Sequence, residues 1–261
     1  MINHPLGGFF GNTVVSLSCW FRSPGEPDRF NNVTAFVVSI ADVWMLATAG
    51  HVLQVLDEQK QHGLHVDWYL DDTMGSDAVS GIPIPFNLAD RRNFTMRQDG
   101  FDFALIEILD HDRRLLEKNR IKPVDEAAWT VGMPDEFDGY TLVGFPHEDV
   151  QATSTVVKKA MLIADLVQIP QTEVPQELIQ TAPRLFFTIN QEHSEAPQTW
   201  LGVSGGPIFG YKRKEEGRLG YWLVGIQSAV ARDYPIAIAC LTRPFLHVVR
   251  NQLLNPVNPQ A

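Results

Sequence analysis

Short segments rich in β-branched and aromatic residues recur along this chain and leave little room for long helices. They fall into two series, which are separated by the charged stretch 110–124. The first series covers residues 14–21, 33–40, 43–47, 65–70, 79–85 and 103–109, and the second covers residues 140–145, 156–169, 185–189, 207–211, 221–226 and 236–241. Two sets of about six strands predict an all-β protein built from two six-stranded antiparallel β-barrels.

The charged stretch 110–124 marks the expected domain boundary, because linkers between domains run over the surface and are rich in polar residues. We therefore predict an N-terminal barrel over residues 1–118 and a C-terminal barrel over residues 119–261. After the second series, apolar side chains recur at helical spacing, at Phe245, Val248, Val249 and Leu253. Thr242 and Pro244 suit the start of a helix, so a short C-terminal helix is expected there.

The charge and the cysteine content limit which classes of partner and which cellular compartment are expected. The formal net charge of −10 at pH 7 argues against a nucleic-acid partner, because phosphate binding requires a basic surface. No apolar run reaches the length of about 18 residues that a membrane span needs, and residues 1–5 lack the pattern of a secretory signal. Secreted proteins of this kind usually carry several disulfides, whereas only Cys19 and Cys240 occur here. We expect a cytoplasmic protein with two buried free thiols and no membrane partner.

Three short segments contain the residue types needed for acyl transfer through a serine. They are Thr48-Ala49-Gly50-His51, Asp102-Phe103-Ala104-Leu105 and Gly202-Val203-Ser204-Gly205-Gly206-Pro207. The glycines allow a tight turn in which the N–H groups of Gly202 and Ser204 converge on one oxygen. Asp102 is costly to bury among apolar residues unless a partner such as His51 receives it. Taken singly, each residue also fits an ordinary role as a turn serine, a core histidine or an acid at a strand start.

In the order His, Asp, Ser, the three segments resemble the motifs of the chymotrypsin-like (trypsin-fold) serine peptidases. The resemblance implies two β-barrels with the active site between them, and hydrolysis of polypeptide substrates through an acyl-enzyme. It implies that His51 is the general base, Asp102 the acid that orients it, and Ser204 the nucleophile. It also implies an oxyanion hole formed by the N–H groups of Gly202 and Ser204, and no metal or organic cofactor.

The same resemblance implies which residues contact the substrate. Gln198, Ser228, Ala229 and Val230 would line the pocket for the side chain before the cut. Val230 stands where a glycine would permit a deep pocket, so a small or medium apolar side chain is expected in it.

Val203 departs from the pattern of the secreted, zymogen-type members of this family. Those members carry an aspartate at this position, which receives a newly cut N-terminal amine, so activation by N-terminal cleavage is not expected here. The resemblance is therefore to an intracellular or bacterial-type branch. Regulation would come from elsewhere, and this leaves room for a regulatory protein partner.

Two alternatives to a peptidase remain open. Residues 202–206 also match the G-x-S-x-G turn of α/β-hydrolase esterases, although that fold requires the chain order serine, acid, histidine and many helices. The stronger alternative is a trypsin-fold module that binds peptides or proteins without cutting them, either catalytically silent or conditionally inactive. A bound metal is not expected, because His62, His65 and the acidic turn 71–77 lack a complete ligand set at a recognisable spacing.

Overall fold

Strands make up most of the regular structure of this protein. The computed structural model describes residues 10–22, 25, 29–54, 65–71, 83–88, 90–98, 100–152, 157–180, 182–192, 197, 199–214, 218–231 and 233–255. The strands are Val14–Arg22 (β1), Arg29–Ile40 (β2), Val43–Thr48 (β3), His65–Asp71 (β4), Ile84–Pro85 (β5), Asn93–Met96 (β6), Phe103–Glu107 (β7), Gly139–Gly144 (β8), Val150–Ala152 (β9), Val157–Lys159 (β10), Leu162–Gln168 (β11), Arg184–Ile189 (β12), Pro207–Arg213 (β13), Leu219–Val230 (β14) and Ala237–Leu241 (β15).

Helical structure is short. The α-helices are Asp110–Lys118 (α1), Ala127–Thr130 (α2) and Thr242–Leu254 (α3), and residues 50–54 form a further helical segment directly after β3. The 3-10 helices are His147–Asp149, Gln171–Glu173 and Gln176–Leu178. The predicted C-terminal helix is therefore confirmed as α3. No helix in the described residues is long and apolar enough to cross a membrane.

The second series of strands forms a closed six-stranded barrel in the order β11-β12-β15-β14-β13-β8. Each described pairing within it is antiparallel, and closure leaves no free edge. The prediction of a C-terminal barrel is thus confirmed. The predicted segment 156–169 is divided, because β10 pairs with β9 in a separate two-stranded ribbon and β11 belongs to the barrel.

The first series forms a seven-stranded antiparallel sheet in the order β5-β4-β1-β2-β3-β7-β6. Its outermost strands, β5 and β6, do not pair with each other within the described residues. β5 is only two residues long and includes Pro85, which has no backbone N–H to donate to a ladder. The predicted second closed barrel is therefore not confirmed, and the strands form a large sheet.

One apolar cluster joins the sheet to the barrel and to α3. Phe103 of β7 stacks on Phe245 of α3 with ring centroids 4.9 Å apart, and Phe10 stacks on Phe209 of β13 at 4.2 Å. All four rings are nearly inaccessible to solvent. Because burying such a side chain stabilises the fold by about 1.5–3 kcal/mol, these contacts hold the two halves firmly together. The division into domains at residue 118 remains a prediction.

The stretch 110–124, which the charge pattern assigned to a surface linker, is packed against the sheet. Asp112 of α1 forms an ion pair of 2.7 Å with Arg91, and both side chains are at most 6 % exposed. The Arg91 guanidinium lies 3.8 Å from the centre of the Phe86 ring. Farther along, Val124 forms a parallel bridge with Val38 of β2. One of the charged residues of α1, Asp112, is therefore buried in an ion pair, although the charge pattern of the segment is that of an exposed surface.

Both cysteines are free and buried, as predicted. Burial raises the pKa of the Cys19 thiol to about 12. Burial also raises the pKa of Cys240, although a hydrogen bond with Ser228 opposes this change. At neutral pH both groups are uncharged thiols, which is consistent with packing rather than reactivity.

Replacing Asp112 by alanine should lower the free energy of unfolding by about 3–5 kcal/mol, because it leaves the Arg91 charge buried without its partner. Urea denaturation measures this change. The control Glu117→Ala removes the exposed partner of Arg113 on the same helix, and should cost about 0.5 kcal/mol or less. Equal losses in the two variants would contradict the role assigned to the buried pair.

Candidate active site

Asp102 holds His51 at two points. β3 and β7 pair so that Thr48 lies opposite Ala104, which brings the segment after β3 beside the residue before β7. His51 Nδ1 lies 2.6 Å from Asp102 Oδ2, and the His51 backbone N–H donates to Asp102 Oδ1 at 2.7 Å. A neutral imidazole that donates from Nδ1 to a carboxylate keeps Nε2 as its proton acceptor. The ring is therefore oriented to act as a base.

The surroundings of Asp102 involve both halves of the protein. The Nε atom of Arg97, a partly exposed side chain, lies 3.5 Å from Asp102 Oδ1. From the barrel, Arg184 donates two hydrogen bonds to Gly100 O, at 3.0 and 2.8 Å. The Cys240 thiol lies 3.4 Å from the same oxygen. The barrel thus fixes the segment that leads into Asp102.

Gly50 is required by the close approach of these groups. A Cβ atom at this position would lie 2.7 Å from Arg97 Cγ, 2.8 Å from Phe103 O and 3.0 Å from Asp102 Oδ1. Such distances are shorter than normal van der Waals contact, so a side chain here would push the carboxylate away from the imidazole.

Ser204 lies on a turn at residues 201–205, immediately before the barrel strand β13. Gly202 and Gly205 adopt φ angles of +87° and +92°, which favour glycine. A Cβ on Gly202 would lie 2.5 Å from Phe145 O, and one on Gly205 would lie 2.2 Å from Thr34 O. The turn therefore needs glycine on both sides of the serine for conformation and for space.

The backbone N–H groups of this turn fall into two sets. Those of Val203, Gly205 and Gly206 donate to Trp200 O, Gln227 O and Val203 O, at 3.2, 2.9 and 2.9 Å. Those of Gly202 and Ser204 donate to no acceptor within the described residues. The two unused donors are the pair that the resemblance assigns to an oxyanion hole.

Thr34 of β2 connects the serine turn to the histidine side of the site. Its backbone N–H and its hydroxyl both donate to Gly202 O, at 2.8 and 2.7 Å. The same hydroxyl accepts the N–H of Phe145 at 2.8 Å, and Thr34 O accepts the hydroxyl of Thr48 at 2.8 Å. Nothing in the sequence singled out this buried threonine, because it lies inside a regular strand and outside every motif.

Val203 is fully buried in the apolar cluster of the barrel. A Cβ on Gly144 would lie 3.0 Å from Val203 Cγ1, which shows how closely this side chain packs on β8. Apolar contact therefore anchors the serine turn to the barrel.

His51, Gly202 and Ser204 line one cavity of about 570 Å³, whose walls come from the sheet and from the barrel. Its volume falls within the range of about 300–1,000 Å³ that is typical of ligand sites. The other lining residues are Leu17, Cys19, Phe30, Asn31, Asn32, Val33, Val52, Trp68, His147, Thr199, Trp200, Leu201, Gln227 and Val230. No Asp, Glu, Lys or Arg is among the described residues that line it. Within the described part of the chain, no hydrogen bond joins the Ser204 hydroxyl to the His51 ring.

Of the four residues predicted to contact substrate, only Val230 is among the described residues that line the cavity. Val230 lines the cavity, whereas Ser228 is buried and donates to Ile238 O at 3.4 Å. Ala229 packs against a separate apolar cluster of the barrel. Gln198 lies outside the described residues. The substrate-contact role of all four remains a prediction.

Gln227, which was not among the residues predicted to contact substrate, lines the cavity and is 1 % exposed. Its Nε2 donates to Ala229 O at 3.1 Å, while its Oε1 has no partner within the described residues. A β-bulge between Gln227 and Ala229 interrupts the alternation of side chains along β14. The pattern of a regular strand would not have indicated this residue.

No family model and no curated protein matches the chain. Among the described residues, no three His, Cys, Asp or Glu side chains lie together as a metal site requires.

Replacing Thr34 by valine should lower the free energy of unfolding by about 1–3 kcal/mol, because it leaves the buried amide of Phe145 without its acceptor. Urea denaturation measures the loss. Thr34→Ser keeps the hydroxyl and should retain most of the stability. A valine variant as stable as the parent would show that the hydroxyl does not hold the serine turn in place.

Proposed function

We propose that this protein is a serine endopeptidase that hydrolyses peptide bonds through an acyl-enzyme. The observation that carries the proposal is the Asp102–His51 pair, at 2.6 Å, whose histidine lines the same cavity as Ser204. The two unused N–H groups beside Ser204 add the second requirement of acyl transfer, which is a place for the negative oxygen. An ordinary turn serine and an ordinary core histidine are not expected to share a cavity, an aspartate bonded to the histidine and two unused N–H groups beside the serine.

In the proposed mechanism, Ser204 Oγ attacks the carbonyl carbon of the substrate while His51 Nε2 takes its proton. The N–H groups of Gly202 and Ser204 stabilise the oxyanion, and Asp102 stabilises the imidazolium. Collapse of the tetrahedral intermediate breaks the C–N bond, and His51 gives its proton to the leaving amine. Water then repeats the sequence, with His51 as its base, and releases the acid from Ser204.

We also propose that the seven-stranded sheet is the counterpart of the first barrel of the trypsin fold. In support, the sheet supplies the histidine and the aspartate, the closed barrel supplies the serine, and the cavity lies where the two meet. This division of the groups matches the arrangement that the resemblance implies.

The proposed peptidase prefers a small or medium apolar side chain on the residue before the cut. Trp200, Leu201 and Val230 supply apolar surface on the barrel side of the cavity. Because no charged side chain is among the described lining residues, a basic or acidic side chain would lose its hydration without gaining a partner.

The absence of a Ser204–His51 hydrogen bond in the described residues favours one alternative, which is a trypsin-fold module that is silent or conditionally inactive. In peptidases without substrate this bond is often long and tightens when substrate binds. The same geometry is therefore expected of an active enzyme at rest, and chemistry must separate the two functions.

A fluorophosphonate probe makes that distinction, because it reacts with a serine that is activated by a base and an oxyanion hole. We expect labelling at Ser204, its loss in Ser204→Ala, and a decrease of about 10⁴-fold in peptidase kcat for Asp102→Asn. Ser39→Ala, which changes a half-buried serine of β2 that does not line the cavity, is the matched control and should still be labelled. Peptide binding without any labelling would instead identify a non-catalytic module.

Replacing Gly202 by alanine should reduce kcat/KM by about 10²–10³-fold, the cost of losing one oxyanion donor. The new Cβ would clash with Phe145 O and would be strained at φ +87°. The rate of hydrolysis of a blocked amino-acid ester measures the effect. Gly132→Ala is the control, because Gly132 also has a positive φ but open space around it. An unchanged rate in Gly202→Ala would exclude this turn as the oxyanion hole.

A further inference from the structure

One part of the cavity lies on the N-terminal sheet and is lined by side chains of the sheet's own core. This apolar recess consists of Leu17, Cys19, Val33, Val52 and Trp68. Leu17 lies opposite Val33, and Cys19 lies opposite Trp68, so these four side chains share one face of the sheet. All except the half-buried Val33 are at most 7 % exposed. The wall of the recess is therefore almost entirely shielded from water.

The asparagine side chains beside the apolar recess are engaged within the protein, whereas the indole Nε1 of Trp68 has no hydrogen-bond partner among the described residues. Asn32 Nδ2 donates to Phe145 O at 3.3 Å, and Asn32 Oδ1 accepts the hydroxyl of Ser16. Asn31 Oδ1 accepts the backbone N–H of Asn32 at 2.9 Å. Cys19 is an uncharged thiol at neutral pH, because burial raises its pKa to about 12. A charged group in the recess would lose its hydration and find no ion-pair partner, whereas an apolar group would gain by burial.

The apolar recess lies beside His51, where the leaving group of the proposed reaction must also lie. In the proposed mechanism the leaving amine takes its proton from His51, so the residue that bears this amine must lie beside His51. Val52 follows His51 in the chain, and Val33 precedes Thr34, which is bonded to the serine turn. The barrel residues Trp200, Leu201 and Val230 line the other part of the cavity, which the resemblance gives to the side chain before the cut.

We propose that the apolar recess selects a large apolar side chain on the residue immediately after the cut. This inference rests on the proposed function and deepens it. The substrate class becomes polypeptides that are cut before residues such as leucine, isoleucine, methionine or phenylalanine. The side chain before the cut is then the smaller of the two that the cavity receives.

Partitioning of the acyl-enzyme tests the recess separately from the rest of the site. A blocked alanine methyl ester acylates Ser204 and releases methanol, and an added amino-acid amide then competes with water for the acyl group. The amine nitrogen bonds to the acyl carbon, the C–Oγ bond breaks, and the proton of the amine passes through His51 to Ser204. Because the acyl group is the same in every reaction, the ratio of peptide to acid reports only on the acceptor's side chain.

We expect leucinamide and phenylalaninamide to be better acceptors than glycinamide by about 10–100-fold, the range for hydrophobic pocket contacts. Aspartamide should be the poorest acceptor. Val33→Asp places a negative charge on the recess. It should raise the ratio of peptide to acid obtained with lysinamide relative to the ratio obtained with leucinamide. General damage to the site would lower all acceptors together and could not reverse their order. Val33→Thr, which is close to the parent in shape, covers the case in which the aspartate variant fails to fold, and should reduce the leucinamide preference severalfold.

The matched control is Leu201→Ala, which changes a side chain that is 70 % exposed on the barrel side of the cavity. It should alter kcat/KM for the ester and leave the ranking of acceptors unchanged. If Ser204 is labelled by the fluorophosphonate probe but leucinamide, glycinamide and aspartamide are equal acceptors, the recess inference is overturned and the peptidase stands. If neither labelling nor ester turnover occurs, the proposed function fails and the inference fails with it.

Discussion

The hydrogen bonds of Thr34 are the interaction on which the arrangement of the site depends. One residue of the N-terminal sheet donates twice to the carbonyl of Gly202, receives the amide of Phe145, and accepts the hydroxyl of Thr48. Because the Gly202 carbonyl is held from this side, the neighbouring N–H groups of the turn remain available to a ligand. Thr34 thus links the serine turn directly to Thr48 at the end of β3, three residues before His51.

Apolar packing holds the serine turn in place. Val203 anchors the serine turn in the barrel by apolar contact, and its burial does not depend on the protonation of any group. The turn is also held by backbone bonds to Gln227 and by the positive φ angles of two glycines. Packing, backbone hydrogen bonds and the conformation of the two glycines together order the turn.

The sequence was sufficient where a local pattern determines the outcome, and insufficient where tertiary contacts do. Alternating β-type segments predicted the strands of the barrel, and the three motifs indicated residues that the fold brings to one cavity. The Arg91–Asp112 pair was hidden among surface charges, because burial is not visible in a charge pattern. Gln227 was missed because a bulge shifts the register of β14. Closure of the first sheet into a barrel is not confirmed, since its outermost strands do not pair within the described residues and β5 is only two residues long.

The segment before Asp102 can be fixed only after the C-terminal barrel strands have been made. Asp102 belongs to the N-terminal half, yet its loop is fixed by Arg184 and Cys240, and the serine turn is fixed in return by Thr34. During synthesis on the ribosome, residues 1–118 leave the exit tunnel long before β15. A nascent chain therefore cannot complete the contacts around Asp102 until its last barrel strand, β15, has emerged.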